Sequence, residues 1–227
     1  MTWSPHPEDL IKMIDAACLN PEADETMIRT TCSEAVQFGY AAVFAMSGWL
    51  PLIASLLNGS PVKTGAAIGF PFGSYSTVVK TFEVRDAIAS GADEIDVMMN
   101  IGALKSKNFD QVRRDIESVV NASQGLLTKV ILETCLLTDE EKVDACKIAE
   151  EAGADYVKTS TGFGAGGATV ADVRLLRASI NVRMRVKASG GIQSIDQIQE
   201  LFLAGATRFG VGAAKASRFA REAITTK

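Results

Sequence analysis

Histidine is nearly absent from this chain of 227 residues, and its absence argues against several kinds of catalytic site. The one histidine, His6, lies between two prolines ahead of any periodic segment, where a solvent-exposed terminal residue is expected. Zinc sites usually need several His or Cys ligands, so we expect no metal site. Ser-His-Asp and Cys-His catalysis both need a histidine within the fold, so neither is expected here.

Cysteine and long apolar runs are also scarce. The first ten residues lack the basic and apolar regions of a signal peptide, and no apolar run approaches the length of a membrane-spanning helix. The cysteines lack CxxC spacing and are too few for a disulfide framework in a chain of this size. We therefore expect a cytoplasmic protein with reduced thiols and no membrane partner. The four cysteines are Cys18, Cys32, Cys135 and Cys146.

Charge of neither sign dominates. The chain has 23 Lys and Arg against 27 Asp and Glu, a formal net charge of −4, and no basic stripe. A nucleic-acid partner is therefore not expected, and an anionic small molecule would have to be held locally, by backbone amides or a few lysines. Hydrophobic residues make up 47% of the chain and charged residues 22%, as is ordinary for a globular protein.

Short β-rich runs alternate with longer amphipathic segments about eight times along the chain. The amphipathic segments have the apolar spacing of a helix that covers a sheet, as Val112, Ile116 and Val119 do. This alternation predicts an α/β fold, a single (β/α)8 TIM barrel over residues 1–227 with a short N-terminal helical leader. An open doubly wound sheet is the alternative. The predicted strands are 14–19, 40–46, 63–70, 94–100, 128–135, 155–160, 184–189 and 207–211.

Local signals mark where several helices begin and end. Two capping boxes are predicted, one from Thr138 to Glu141 and one from Ser194 to Gln197. A further helix is predicted over 213–222, after the last strand. A glycine in the left-handed C-cap conformation is expected to close four helices and lead into the next strand. These glycines are Gly39, Gly91, Gly153 and Gly205.

The glycine repeat also predicts which side chains share one layer of the barrel interior. The residues five positions after each glycine fall on strands 2, 4, 6 and 8, and in such barrels alternate strands build one interior layer. Asp96 and Lys158 are therefore expected to converge on the barrel axis, although they are far apart in the sequence. The four residues of this layer are Phe44, Asp96, Lys158 and Gly210.

Three charged residues, Asp96, Lys158 and Lys187, are predicted inside otherwise apolar strands, near the C-terminal ends where barrels place catalytic groups. A nearby cation and partial desolvation lower the pKa of a lysine, and the neutral amine can then attack a carbonyl to form a Schiff base. An aspartate within reach can shuttle protons, through water if needed. The alternative is a buried Lys–Asp ion pair that only closes the barrel. Glu133 and Cys135, at the end of strand 5, are expected to line the pocket.

Glycine-rich stretches follow strands 6, 7 and 8. Barrels commonly bind phosphate on the loops after strands 7 and 8, at the N-terminus of a short helix. Glycine alone is weak evidence because every tight turn uses it, but three clusters on one rim favour a phosphate site. The clusters are 162–167, Gly190 with Gly191, and Gly210 with Gly212.

Several segments match the motifs of one enzyme family, in that family's order. Together they make residues from about 10 to 212 resemble the deoxyribose-phosphate aldolase family. The run Val-Lys-Thr-Ser-Thr-Gly at 157–162 is highly specific to it. The matching segments are 68–71, 91–96, 133–135, 153–163, 166–169 and 186–192.

The resemblance implies a (β/α)8 class I aldolase that uses no metal and no organic cofactor. Such enzymes cleave 2-deoxyribose 5-phosphate reversibly to acetaldehyde and glyceraldehyde 3-phosphate, so the implied partners are a sugar phosphate and an aldehyde, and a homo-oligomer stays open. The implied roles are a Schiff base on Lys158, tuning by Lys187 and proton relay by Asp96. The substrate and phosphate are expected at Asp15, Thr161, Gly162, Gly190, Gly191, Gly210 and Gly212.

Three places depart from the family's pattern. Asp15 is followed by Ala16 and Ala17 where hydroxyl-bearing residues are usual, and Phe44 stands where the family often has cysteine. After strand 8, Gly212 and Ala213 replace a Ser-Ser pair. These departures leave two alternatives open: an aldolase of the same mechanism with another aldehyde or an unphosphorylated sugar, and a non-catalytic ligand-binding barrel. The buried charges argue against the second, because buried charges without a role are costly.

Overall fold

The computed structural model describes residues 5–225, which contain a closed barrel of eight parallel strands. Each strand pairs with the next along the chain, and the last returns to pair with the first. The closed barrel confirms the predicted fold, and the open doubly wound sheet is excluded. The strands are β1 (Ile14–Cys18), β2 (Ala42–Ala45), β3 (Lys63–Ile68), β4 (Glu94–Met98), β5 (Leu127–Ile131), β6 (Tyr156–Lys158), β7 (Arg185–Ser189) and β8 (Ala206–Gly212).

Helices follow each strand and cover the outside of the barrel. Short 3-10 turns over Ser47–Trp49 and Thr134–Leu136 precede two of them. The helices are α1 (Pro7–Ile11), α2 (Glu25–Phe38), α3 (Leu50–Leu57), α4 (Thr77–Ala89), α5 (Ile101–Lys105), α6 (Phe109–Ala122), α7 (Asp139–Glu151), α8 (Val170–Ser179), α9 (Ile195–Leu203) and α10 (Ala213–Thr225).

The predicted N-terminal leader is helix α1, which begins with Pro7 at its first position and packs against α9 and α10. His6 is exposed and precedes this helix, as predicted. Between residues 5 and 225, no helix combines the length and apolar character that a membrane-spanning helix needs.

Most predicted strands run past the observed ones at their C-terminal ends. The run 63–70 ends as a strand at Ile68, because Gly69 turns the chain at a φ of 60°. The run 128–135 ends at Ile131, and Glu133 adopts a left-handed conformation with a φ of 44°. Side-chain composition does not reveal these turns. The loops at the C-terminal ends of the strands therefore begin earlier than the apolar pattern indicates.

The cap predictions are confirmed with one exception. All four glycines of the repeat have positive φ, from 74° at Gly39 to 116° at Gly205. Thr138 and Glu141 form both bonds of a capping box. The second box is incomplete: the Ser194 hydroxyl accepts from the Gln197 amide, but the Gln197 side chain accepts from the amide of Gln193. The predicted helix over 213–222 is confirmed as part of α10.

The strands divide the interior into two environments. Outward-facing residues such as Ile95, Val97 and Val157 join the helices in one large apolar core. Inward-facing residues alternate with them, since successive strand side chains point to opposite faces. Asp96 and Lys158 lie between those core residues in the sequence and therefore face the barrel axis. The barrel thus keeps its apolar packing outside the sheet and has charged side chains within it.

Candidate active site

The predicted interior layer brings Asp96 and Lys158 together. The Asp96 Oδ2 atom lies 2.7 Å from Lys158 Nζ, and both side chains are buried. Gly210 on β8 leaves space for its neighbours at the barrel axis. An added Cβ would lie 3.4 Å from Lys187 Cε and only 2.7 Å from Ser189 Cβ. The glycine spacing therefore located a contact across 62 residues of sequence.

Asp96 pairs with three lysines. Lys158 and Lys187 approach its Oδ2 atom at 2.7 and 2.6 Å, and Lys129 approaches Oδ1 at 3.1 Å. Burial acts to raise the pKa of Asp96, but the three ammonium groups outweigh it and hold that pKa well below its ordinary value. Asp96 is therefore an anion throughout the neutral range and can stabilise a cation formed on a neighbouring lysine.

The barrel interior has more charged side chains than the three that the sequence predicted. Lys129 is the register partner of Asp96 on β5, and its ammonium group also contacts Glu94 at 2.7 Å. Burial acts to lower the pKa of Lys129, and the surrounding carboxylates raise it above its ordinary value. Arg208 on β8 bridges Glu94 and Asp15, with its Nη2 atom 2.8 Å from Glu94 Oε2. The charged floor of the barrel, as we call this cluster, consists of Asp15, Glu94, Asp96, Lys129, Lys158, Lys187 and Arg208.

The charged floor has one more basic group than acidic groups, with four of the first kind and three of the second. An unbalanced charge in a buried cluster is costly, and the loss of one lysine proton makes this cluster neutral. The arrangement therefore favours one neutral amine among its lysines. A neutral amine is what nucleophilic attack on a carbonyl carbon requires.

The lysines differ in how firmly they are held. Among the described residues, Lys158 pairs with one carboxylate, whereas Lys187 pairs with both Asp15 and Asp96, each at 2.6 Å. Burial lowers the pKa of Lys187 to about 8, and neighbouring ammonium groups act in the same direction against the two carboxylates. That shift alone would favour Lys187 as the neutral amine. The ion pairs favour Lys158, since its deprotonation breaks one ion pair and that of Lys187 breaks two.

A cavity of about 370 Å³ opens above the charged floor at the C-terminal ends of the strands. Asp96 lies beneath Lys158 and is not part of the wall. The other residues predicted for catalysis and for substrate or phosphate binding all line this cavity, so the structure brings them together around one space. They are Asp15, Lys158, Thr161, Gly162, Lys187, Gly190, Gly191, Gly210 and Gly212.

Glu133 and Cys135 do not line the cavity, so that prediction was wrong. Glu133 instead supports the cavity wall, because its carboxylate accepts hydrogen bonds from the amide and hydroxyl of Thr161. The Thr161 hydroxyl in turn accepts from the amide of Phe163. Cys135 is exposed, with its sulfur 3.6 Å from Glu133 Oε1.

The rim above strands 7 and 8 is built from backbone. Gly190 and Gly191 both have positive φ, and a Cβ on Gly167 would lie 2.3 Å from the Gly190 carbonyl oxygen. Helix α10 begins directly after Gly212, so its free amides lie beside the cavity, as in anion sites at helix N-termini.

Lys215 is a cavity residue that the sequence analysis missed. It is half-buried in the first turn of α10, and it forms no ion pair within residues 5–225. The sequence did indicate its position, because a lysine three residues after Gly212 falls in the first turn of the predicted helix. We call the backbone of Gly190, Gly191 and Gly212, the start of α10 and Lys215 the anion rim.

A family model described as "DeoC/LacD family aldolase" matches residues 10–213. The chain belongs to this family. A deoxyribose-phosphate aldolase of Clostridium perfringens is 51% identical over 207 residues, which are 91% of this chain and 92% of the relative. One from Streptococcus sanguinis is 51% identical over 214 residues, 94% of this chain and 97% of the relative. The resemblance seen in the sequence motifs is thereby confirmed.

Solved structures agree with this assignment. A deoxyribose-phosphate aldolase from Aeropyrum pernix, described as a tetramer, superposes with a TM-score of 0.86 at 33% identity, covering 93% of this chain and 91% of its own. An aldolase designated QR15 gives a TM-score of 0.90 at 36% identity, covering 96% and 99% of the two chains. The barrel described above is therefore the fold of this aldolase family.

Proposed function

We propose that this chain is a deoxyribose-phosphate aldolase, which cleaves 2-deoxyribose 5-phosphate reversibly to acetaldehyde and glyceraldehyde 3-phosphate. The observation that carries the proposal is the contact between Asp96 and three lysines, with Lys158 on the cavity wall. The relatives at 51% identity carry that activity in their names, which supports the choice of substrate.

Lys158 is the proposed nucleophile. Its neutral amine adds to the C1 aldehyde of the open-chain sugar, and loss of water with uptake of one proton gives an iminium ion. Deprotonation of the C3 hydroxyl breaks the C2–C3 bond, whose electron pair moves into the iminium to give an enamine while glyceraldehyde 3-phosphate leaves. Protonation at C2 and hydrolysis then release acetaldehyde and restore the amine.

Lys187 and Asp96 support this reaction without forming the covalent bond. The Lys187 cation disfavours an ammonium group on Lys158, which increases the neutral fraction of that amine. Asp96 remains ionised and lies 2.7 Å from Lys158 Nζ, where it stabilises the iminium cation. Asp96 is proposed to relay protons through a water molecule, because the lowered pKa of Asp96 makes its carboxylate a weak base.

The anion rim is the proposed phosphate site. The free amides at the start of α10 suit an anion, and Lys215 adds a positive charge at the same end of the cavity. This lysine offers an alternative to the Ser-Ser pair that Gly212 and Ala213 replace. The first experiment is a retro-aldol assay on 2-deoxyribose 5-phosphate beside 2-deoxyribose. If the protein cleaves neither sugar, the proposal is overturned.

A second candidate is an aldolase of the same mechanism that prefers an unphosphorylated sugar. The specific observation in its favour is that Gly212 and Ala213 supply no hydroxyl group to the rim. A higher kcat/KM for 2-deoxyribose than for its 5-phosphate would establish it in place of the first. For either activity we propose a single-domain cytoplasmic enzyme, and the free state of all four cysteines supports that location.

A further inference from the structure

Phe44 brings an aromatic ring into the charged floor. It lies on β2, in the axis-facing layer, and is 2% exposed. Its ring centroid is 4.1 Å from Lys187 Nζ and 4.8 Å from Lys129 Nζ. An ordinary apolar side chain at this place would only displace the water that solvates two ammonium groups, at a cost in free energy. The face of an aromatic ring instead attracts a cation.

A glycine on the neighbouring strand fixes this ring. Phe44 and Gly65 are register partners in the pairing of β2 with β3. A Cβ added to Gly65 would lie 2.4 Å from two ring carbons of Phe44, so any larger residue there would displace the ring. The ring therefore occupies a recess in the barrel wall that holds it beside the lysines.

The charge on Lys187 depends on a close balance. Burial lowers its pKa to about 8, so the ammonium group approaches deprotonation in mildly alkaline solution. Contact with an aromatic face stabilises the ammonium form but not the neutral amine, and so opposes that change. The charged groups that act on Lys187 are Asp15 from β1, Asp96 from β4, Lys129 from β5 and Lys158 from β6. Glu94 and Arg208 belong to the same cluster, Glu94 through its contact with Lys129 and Arg208 through its contact with Asp15.

Phe44 also distinguishes between the two lysines on the cavity wall. Its ring contacts Lys187, but no aromatic ring within residues 5–225 lies over the ammonium group of Lys158. Stabilisation by the ring therefore applies to the lysine that must stay charged and not to the proposed nucleophile.

We propose that Phe44 is a positioning residue, which keeps the Lys187 side chain charged and fixed beside Lys158 through the face of its aromatic ring. This inference deepens the proposed function, because it concerns the cation that prepares the Schiff-base lysine. It requires that the electrostatic character of the ring matters, and not only its volume.

The test is an NMR titration of Lys187 in protein labelled with 13C at the lysine ε-carbons, with its signal assigned by its loss in Lys187→Met. Two variants remove the attraction in different ways. Phe44→Leu replaces the ring by an aliphatic side chain, and pentafluorophenylalanine incorporated at position 44 keeps the ring's shape but reverses its quadrupole. Phe209→Leu is the matched control, because Phe209 is fully buried on β8 among the helix-facing core residues.

In both position-44 variants we expect the pKa of Lys187 to fall by about one unit, which corresponds to one buried cation–π contact. It should stay unchanged in Phe209→Leu. An unchanged pKa in the pentafluorophenylalanine protein would overturn the proposal, since the ring would then only fill space. The fluorinated variant also decides the case if Phe44→Leu does not fold. The titration needs no turnover, so a failure of the proposed function would appear separately, as an inactive wild-type enzyme.

Discussion

The charged floor and the anion rim face the same cavity, but they are built in different ways. The floor consists of buried side chains on strands, and each charged group in it has an ionic partner. The rim is mainly loop backbone with one half-buried cation, Lys215. The contrast indicates that this barrel separates its chemistry from its recognition. Changes in the floor should therefore alter kcat and pH dependence, and changes in the rim should alter KM.

The largest predicted effect comes from Lys187→Leu in the floor. This change removes a cation near Lys158, so the charged ammonium form of Lys158 becomes more stable relative to the neutral amine. At neutral pH the reactive amine becomes scarcer, and we expect activity to fall by about two to four orders of magnitude. The acid limb of the pH–rate profile should move to higher pH, so alkaline solution should restore part of the activity.

An exposed lysine on a strand provides the control for this change. Lys63 is exposed at the start of β3, and Lys63→Leu should leave the profile as it is in the wild type. If Lys187→Leu lowered the rate equally at every pH, Lys187 would not be the tuning group, and the proposed division between floor and rim would lose its main support.

A smaller effect is expected from Lys215→Ala in the rim. If the lysine contacts phosphate, its loss should raise KM for 2-deoxyribose 5-phosphate about tenfold, which is typical for one bond to a charged group. kcat should change little, and the kinetics on unphosphorylated 2-deoxyribose should not change. An equal loss on both sugars would show that Lys215 acts on the protein and not on the anion.

The smallest effect is expected when the usual serine pair is restored. The double change Gly212→Ser and Ala213→Ser adds two hydroxyl groups to the rim and should lower KM for the phosphorylated sugar several-fold. The loop has room for the first serine, since a Cβ on Gly212 meets no atom within 4 Å. If the two sugars kept the same ratio of kcat/KM, phosphate would not bind at this loop.

The sequence predicts the barrel and the Asp96–Lys158 contact because both follow from local regularities. The four glycines lead into alternate strands at a constant distance, so one count locates four residues of a single interior layer. The two-residue alternation of a strand also places Glu94 and Arg208 on the inner face of the barrel, because they lie two residues before Asp96 and Gly210. These two were missed because only three strand charges were considered.

Other features depend on tertiary geometry that the sequence does not carry. Lys129 approaches Asp96 through the register of β4 with β5, and that register depends on how α5 and α6 connect the two strands. The register of β7 with β8 shifts at Val186 and Lys187, which no local pattern indicates. Glu133 was predicted to line the pocket because it lies at the end of the predicted strand 5, but its backbone is left-handed and its carboxylate accepts a hydrogen bond from the amide of Thr161.

The most direct test of the central claim is to reduce the enzyme with borohydride in the presence of acetaldehyde and to map the modified peptide by mass spectrometry. The account predicts an ethyl adduct on Lys158, absent in Lys158→Met and still present in Lys63→Leu. An adduct on Lys187 or Lys129 in place of Lys158, or no lysine adduct at all, would contradict the assignment of Lys158 as the Schiff-base lysine.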